Sequence, residues 1–389
     1  MNLNVVWLPL SSRVGTIEIE AKIISLLQKK REVYHLGVGD YILNKKSKRI
    51  FEKNNLLSKN VIKMSLKLSN ILFGRLTVAI QSFFGFIIII KLLLFRKYKK
   101  LVVYTLLFPL PFLIFKVFLK LVNLESFLII YNFPQGTPSF LRPKSINREN
   151  LFLKLENDVR KIIYSILYNY SNKVICSSYR LANSLKDRIN NKLILVIPNG
   201  VLNKMPNKNK LKNILENNED RYLYLYFIGR LTYQKNIALL ISKFKKLYEN
   251  KKNISLTIIG DGDQFDSLYS IYSNIENIHF KGYVADPWGK IRDDGIIIVP
   301  SIWEEPGHVA IEAFMNNKRF MISNGCSLSD FIPKECNSSI VFNPNNLEDV
   351  LINIRKRMDP KTWIKNHNEL KKSLDIFSDK QFEKSINEL

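Results

Sequence analysis

GRLTYQKN, residues 229–236, ends an apolar run on a glycine, with Arg230 beside it and Lys235 a few residues on. A guanidinium grips phosphate oxygens as a planar fork and an ammonium adds a compact charge, so the two together suit a diphosphate. Without further context, an arginine and a lysine near a helix start are more often simply solvated. IIGDGD, residues 258–263, closes a second apolar run on Gly260 and Gly262. Glycines there permit either close approach of backbone to a ligand or a tight strand-to-helix turn with φ > 0. PSIWEEPGHVAIEAF, residues 300–314, puts Glu304 in a loop and Glu312 on the first turns of a helix that starts near His308. Carboxylates there can accept paired hydrogen bonds from vicinal hydroxyls. Gly307 leaves room for a ligand, and a helix N-terminus favours a negative group. The plainer alternatives are helix-dipole complementation for Glu312 and a simple helix-start role for His308.

These residues need a scaffold that delivers several loops to one place. YLYLYFIG (222–229), ISLTIIG (254–260), IHFKG (278–282), GIIIVPS (295–301) and RFMISN (319–324) read as short strands, and NIALLISKFKKLYEN (236–250) as a helix. Strands alternating with helical patterns indicate parallel βαβ units, which bind ligands at the carboxyl ends of the strands. The first half repeats the pattern. NVVWLPL opens it, SSRVGTIEIEAKIISLLQKK follows as loop and amphipathic helix, and strands are expected over 101–106, 126–131, 172–178 and 193–199. Residues 202–221 are rich in Asn and Lys and read as a linker. The predicted fold class is α/β with two consecutive doubly wound sheets. Its divisions are 1–201, the linker 202–221, 222–360, and a polar helical tail 361–389 that could pack back on the first domain.

Composition limits the partners. Of 389 residues, 46% are apolar and 24% charged, as in an ordinary globular protein. The formal charge of +25 is uneven: residues 1–200 carry 32 Lys and Arg against 10 Asp and Glu, a net of +22, and residues 201–389 carry 27 against 24, a net of +3. An anionic partner is therefore expected for the first half. The uncharged stretches 76–90 and 101–115 are flanked by Arg75, Lys91, Arg96, Lys97, Lys99, Lys100, Lys116 and Lys120. Such flanks suit an element lying on an anionic membrane surface, or a buried core with solvated lysines. No apolar run reaches the roughly 20 residues of a spanning helix, and no basic stretch precedes the opening apolar residues as in a secretory signal. A nucleic-acid partner is not expected, because no helix-turn-helix, zinc-finger or RRM signature occurs. Cys176, Cys326 and Cys336 form no CxxC pair, so they read as reduced thiols.

The ordered set G-R-L-x-x-x-K, G-x-G and P-S-x-x-E-x-x-G-x-x-x-x-E-A, preceded by IPNGV at 197–201, resembles the donor-binding half of glycosyltransferase family 4, the group 1 retaining enzymes. The resemblance implies a GT-B fold, with two Rossmann-like domains facing across a cleft, and a nucleotide-sugar donor. It implies Arg230 and Lys235 on the donor diphosphate, Glu304 on the sugar hydroxyls and Glu312 on the ribose. Gly307 would meet phosphate and sugar, and Gly282, Tyr283 and Val284 the base. Gly260 and Gly262 fall on the family's strand-end turn. Gly15 stands where the family has a phosphate loop, often with two adjacent glycines, and Asn132 where some members have a histidine. Glu305 fills a position commonly glycine, and His308 could touch the donor.

With no histidine where a base is expected, the resemblance implies a front-face path in which a donor phosphate oxygen takes the acceptor proton. No cofactor and no essential metal ion are expected, although Asp261 and Asp263 spell Asp-x-Asp. The expected acceptor is a glycan or lipid-linked glycan of cell-envelope polysaccharide (O-antigen, capsule or exopolysaccharide). The expected location is the cytoplasmic side, peripheral to the inner face of the cytoplasmic membrane. The alternatives are a non-catalytic scaffold of the same fold and a basic nucleic-acid- or membrane-binding protein.

Overall fold

The computed structural model describes residues 2–8, 25–26, 33–38, 61–64, 100–105, 125–132, 172–186, 194–201, 206, 222–250 and 253–388. It falls into two units, Met1–Asn199 with Glu383–Leu389, and Gly200–Phe382. Apart from Pro206, the expected linker lies outside the described residues.

In the first unit seven strands form one sheet: β1 Asn2–Leu8, β2 Val33–Val38, β3 Val61–Met64, β4 Lys100–Thr105, β5 Glu125–Asn132, β6 Lys173–Cys176 and β7 Ile194–Val196. Their order is β3-β2-β1-β4-β5-β6-β7, and all neighbours are parallel. The register sets Val5 between Tyr34 of β2 and Val103 of β4. β2 and β3 were not expected from the sequence. The helix Tyr179–Leu185 starts at Ser178, whose hydroxyl accepts from Leu181 N at 3.1 Å and so satisfies one of the free amides of the first turn.

The second unit has six parallel strands: β8 Leu223–Ile228, β9 Ile254–Ile259, β10 Ile278–Phe280, β11 Ile296–Val299, β12 Arg319–Ser323 and β13 Val341–Phe342. The order is β10-β9-β8-β11-β12-β13. Every residue of β11 and β12 is buried, which is why β11 (IIIV) and the centre of β12 (FMI) read as unbroken apolar runs instead of alternating ones. The helix Ile237–Asn250 buries Ile237, Leu240, Ile241, Phe244 and Leu247, a stripe at three- and four-residue spacing. The helix Pro360–Leu374 opens on Asp359, which accepts from Thr362 N at 3.0 Å, with proline in its first turn. Its Trp363 meets Phe320 of β12 edge-to-face at 5.5 Å between ring centroids, so the first part of the tail is core of this unit. Among the described residues no helix is long and apolar enough to cross a membrane.

Candidate functional site

Numbered within its own unit, the second sheet runs 3-2-1-4-5-6, and the order reverses between β8 and β11. In open parallel sheets that reversal separates the two outgoing loops and leaves a crevice at the strands' carboxyl ends. The loop after β8 carries Arg230 and Lys235. The loop after β11 carries Glu304 and Gly307. The topology thus brings to one place two motifs that lie about 70 residues apart in sequence.

The two loops are tied together side chain by side chain. Lys235 closes a 3-10 turn, Tyr233–Lys235, and Asn236 follows in the left-handed region with φ 56°. Gln234 Nε2 donates to Trp303 O at 3.0 Å, Ile302 N donates back to Gln234 O at 2.9 Å, and Asn236 Nδ2 donates to Pro300 O at 3.2 Å. Between them the Lys235 ammonium bonds Glu304 Oε1. The other carboxylate oxygen, Oε2, accepts from Ser301 Oγ at 2.7 Å. The ends of both side chains are largely covered, with 13% of Lys235 and 10% of Glu304 exposed.

The backbone of Glu304 is fixed from the other side. Its N–H donates to Gly325 O at 3.1 Å, and its carbonyl accepts from Ser327 N at 2.9 Å, beside an isolated bridge to Cys326. Burial pushes the Glu304 carboxyl up, but Lys235, by charge and hydrogen bond, together with Ser301 and His308, brings it below its ordinary 4.5. Burial also lowers His308, from 6.5 to about 4, against the pull of the nearby carboxylate. Its Nε2 is buried with no hydrogen-bond partner, so the ring is neutral at physiological pH.

The helix His308–Met315 begins at Gly307, whose φ of 101° strains any residue with a side chain. A Cβ there would lie 2.3 Å from Cys326 Sγ. No side chain caps this helix; Ala310 and Ile311 amides reach back only to Gly307 O, at 3.1 and 3.4 Å. Its first turn is therefore an opening for an anion. Glu312 lies past the first turn, one helical turn on from His308 on the same face, so dipole complementation does not account for it. Arg230 is exposed and makes no ion pair among the described residues.

Gly260 and Gly262 have a different explanation from close ligand approach. A Cβ on Gly260 would sit 1.8 Å from Gly229 O, and one on Gly262 2.5 Å from Leu231 O. Leu231 N donates to Asp261 O at 2.9 Å and Gly260 N to Gly282 O at 2.8 Å. The G-x-G turn is thus pressed between the loops after β8 and β10, and loop-to-loop packing alone requires glycine. Gly282 and Val284 are half-buried and Tyr283 is 71% exposed in the loop after β10. Glu305 is half-buried in a cis peptide bond to Pro306. Asn132 ends β5 in the first unit, opposite Cys176 in register. Gly15 lies outside the described residues.

Ser301, Gln234, Asn236 and Gly325 were given no role in the sequence. Asn236 carried a usable signal, since asparagine after a short helical turn commonly takes the left-handed conformation. All three cysteines are buried and form no disulfide, and among the described residues no three His, Cys, Asp or Glu cluster as metal ligands would.

Two doubly wound units of this strand order define the GT-B glycosyltransferase fold. Anabaena HepE, solved with UDP-glucose, superposes on 99% of this chain and 98% of its own with a TM-score of 0.66 at 14% identity, a likeness of fold. Residues 207–373 match the family described as glycosyl transferases group 1. A protein of Methanocaldococcus jannaschii named uncharacterized glycosyltransferase MJ1607 is 32% identical over 137 residues, 34% of this chain and 35% of that protein. A Salmonella typhimurium protein named lipopolysaccharide 1,2-N-acetylglucosaminetransferase is 26% identical over 61% of this chain and 65% of its own. In both, the match spans less than two thirds of the relative's length.

Proposed function

We propose that the chain is a retaining glycosyltransferase that moves a sugar from a nucleotide-sugar donor to a glycan or lipid-linked acceptor in cell-envelope polysaccharide synthesis. The observation that carries the reading is the covered Lys235–Glu304 pair at the strand-order reversal, beside an uncapped helix N-terminus and an exposed Arg230. Anion-binding groups and a carboxylate in one crevice fit a ligand with a diphosphate at one end and hydroxyls at the other. Arg230, Lys235 and the first-turn amides would take up the charge that develops on the departing diphosphate, the main electrostatic demand of the reaction. Glu304 would hold the sugar hydroxyls, and Glu312 the ribose. Among the described residues, His308 has its Nε2 covered and is not placed to serve as a general base. The acceptor proton therefore passes to a donor phosphate oxygen on the attacked face. No metal ion is needed in this scheme.

The envelope assignment draws support from the lipopolysaccharide transferase of Salmonella typhimurium among the relatives, and the donor class from the UDP-glucose bound by HepE. A peripheral place on the inner face of the cytoplasmic membrane is part of the proposal, through the basic flanks of residues 75–120. The test is nucleotide release from UDP-, GDP- and dTDP-sugars, with membrane extract as acceptor and mass measurement of the product. Release that Arg230→Ala or Glu312→Ala each lowers at least tenfold supports the reading. Activity with no donor, and no donor affinity for the wild type, overturns it.

A further inference from the structure

Both oxygens of Glu304 are occupied, yet by partners of different kinds. Lys235 is the group that a diphosphate would compete for, since an ammonium shared between carboxylate and phosphate divides its three donors. Ser301 faces no such competition. Its side chain is fully buried, its hydroxyl donates to Glu304 Oε2 at 2.7 Å, and its carbonyl accepts from the hydroxyl of Ser323, also fully buried. Ser323 ends β12, Ser301 follows β11, and Lys235 follows β8. A single chain of hydrogen bonds therefore runs across three neighbouring strand ends: Ser323 to Ser301 to the Glu304 carboxylate, with Lys235 on its far oxygen.

We propose that Ser301 is a positioning residue, which holds the Glu304 carboxylate toward the donor sugar once the donor's diphosphate draws on Lys235. The inference rests on the reading of the site as a nucleotide-sugar site. Ser301 does not touch the donor; it acts through Glu304. A bound nucleoside diphosphate has no sugar for Glu304 to hold, so Ser301 has no part in binding it. The two ligands therefore separate a positioning role from a structural one.

The experiment is calorimetric binding of UDP, UDP-glucose, UDP-galactose, UDP-N-acetylglucosamine, GDP and GDP-mannose to the full chain. It compares wild type, Ser301→Ala, Glu304→Ala and the double variant. The expected result is that Ser301→Ala weakens the nucleotide sugar bound by wild type about tenfold, and leaves the matching diphosphate within about twofold. In the Glu304→Ala background, Ser301→Ala should change neither affinity, because the group it acts through is gone. Equal weakening of diphosphate and nucleotide sugar, or an undiminished effect in the Glu304→Ala background, would overturn the inference. If the alanine chain loses its cooperative melting transition, Ser301→Cys, which keeps the volume but donates weakly, takes its place with the same expected pattern. Wild type that binds none of the six ligands would instead overturn the nucleotide-sugar reading, and the inference with it.

Discussion

Lys235 and Glu304 hold each other where little water reaches either, so removing one leaves the other covered and uncompensated. Breaking a covered ion pair from one side costs about 3–5 kcal/mol, whereas replacing both members by apolar groups is often nearly neutral. Lys235→Met should therefore lower the urea-unfolding free energy by about 3 kcal/mol, and Lys235→Met/Glu304→Leu by clearly less. Equal losses would mean that the Glu304 carboxylate left without Lys235 carries no penalty of its own. His308 predicts a pH effect of definite sign. Its pKa of about 4 lies below the 6.5 of an ordinary histidine, so the unfolded chain takes up a proton at this position before the folded chain does. The stability linked to neutral His308 is present above pH 6.5 and is lost as pH falls toward 4. Between pH 7.5 and 5, wild type should lose about 1–2 kcal/mol more than His308→Leu, read from urea midpoints at each pH. Glu304 adds little loss over that range, because the unfolded carboxyl, at its ordinary 4.5, takes up its proton mainly below pH 5, and the folded one lower still.

At the scale of elements, the positions of the loops follow from how closely their backbones pass. Gly260 is the tightest point, where a methyl group would meet Gly229 O at 1.8 Å. Gly260→Ala should force the loops after β8 and β9 apart, costing more than about 3 kcal/mol by thermal denaturation, and should weaken donor binding through displaced Arg230 and Lys235. A melting temperature within two degrees or so of wild type would show that the turn yields easily. The helix Pro360–Leu374 depends on Trp363 in the same way, and Trp363→Ala should cost about 3–5 kcal/mol. These elements were readable to different degrees. β11 stands out in the sequence because both faces are covered and all four residues are apolar, and β12 through its central Phe320, Met321 and Ile322, although it opens on a buried Arg319. β3 and β13 are short edge strands, VIKM with a lysine and a two-residue VF, which lack that signature. The site motifs could be read as a set, but not the bonds among them. Lys235 and Glu304 were given separate ligands, and nothing in their spacing told that a strand-order reversal would pair them. Ser301 was equally silent, because a buried serine acquires meaning only from the oxygen it faces.

For the molecule as a whole, the +22 and +3 split between the halves is the feature that the donor site leaves unexplained. Arg230, Lys235 and a helix N-terminus are enough for one diphosphate, and all three are in the half with little net charge. The excess lies in the half proposed to receive the acceptor, and eight of that half's 32 Lys and Arg flank the apolar stretches of residues 75–120 with no acidic residue among them. Lys100 is the first residue of β4; Lys97 and Lys99 lie outside the described residues. If these lysines meet anionic lipid, each contributes about 1 kcal/mol at low salt. Lys97→Gln, Lys99→Gln and Lys100→Gln together should then weaken cosedimentation with phosphatidylglycerol-containing vesicles by about two orders of magnitude. The wild-type affinity should fall toward that of the variant as salt is raised, because exposed charges are screened within about 10 Å at 0.1 M. Nucleotide-sugar affinity should be the same in both proteins, since the substitutions and the donor site lie in different units. Unchanged vesicle binding after the three substitutions would detach the charge from the membrane, and DNA binding that falls with salt while vesicles are ignored would transfer it to nucleic acid.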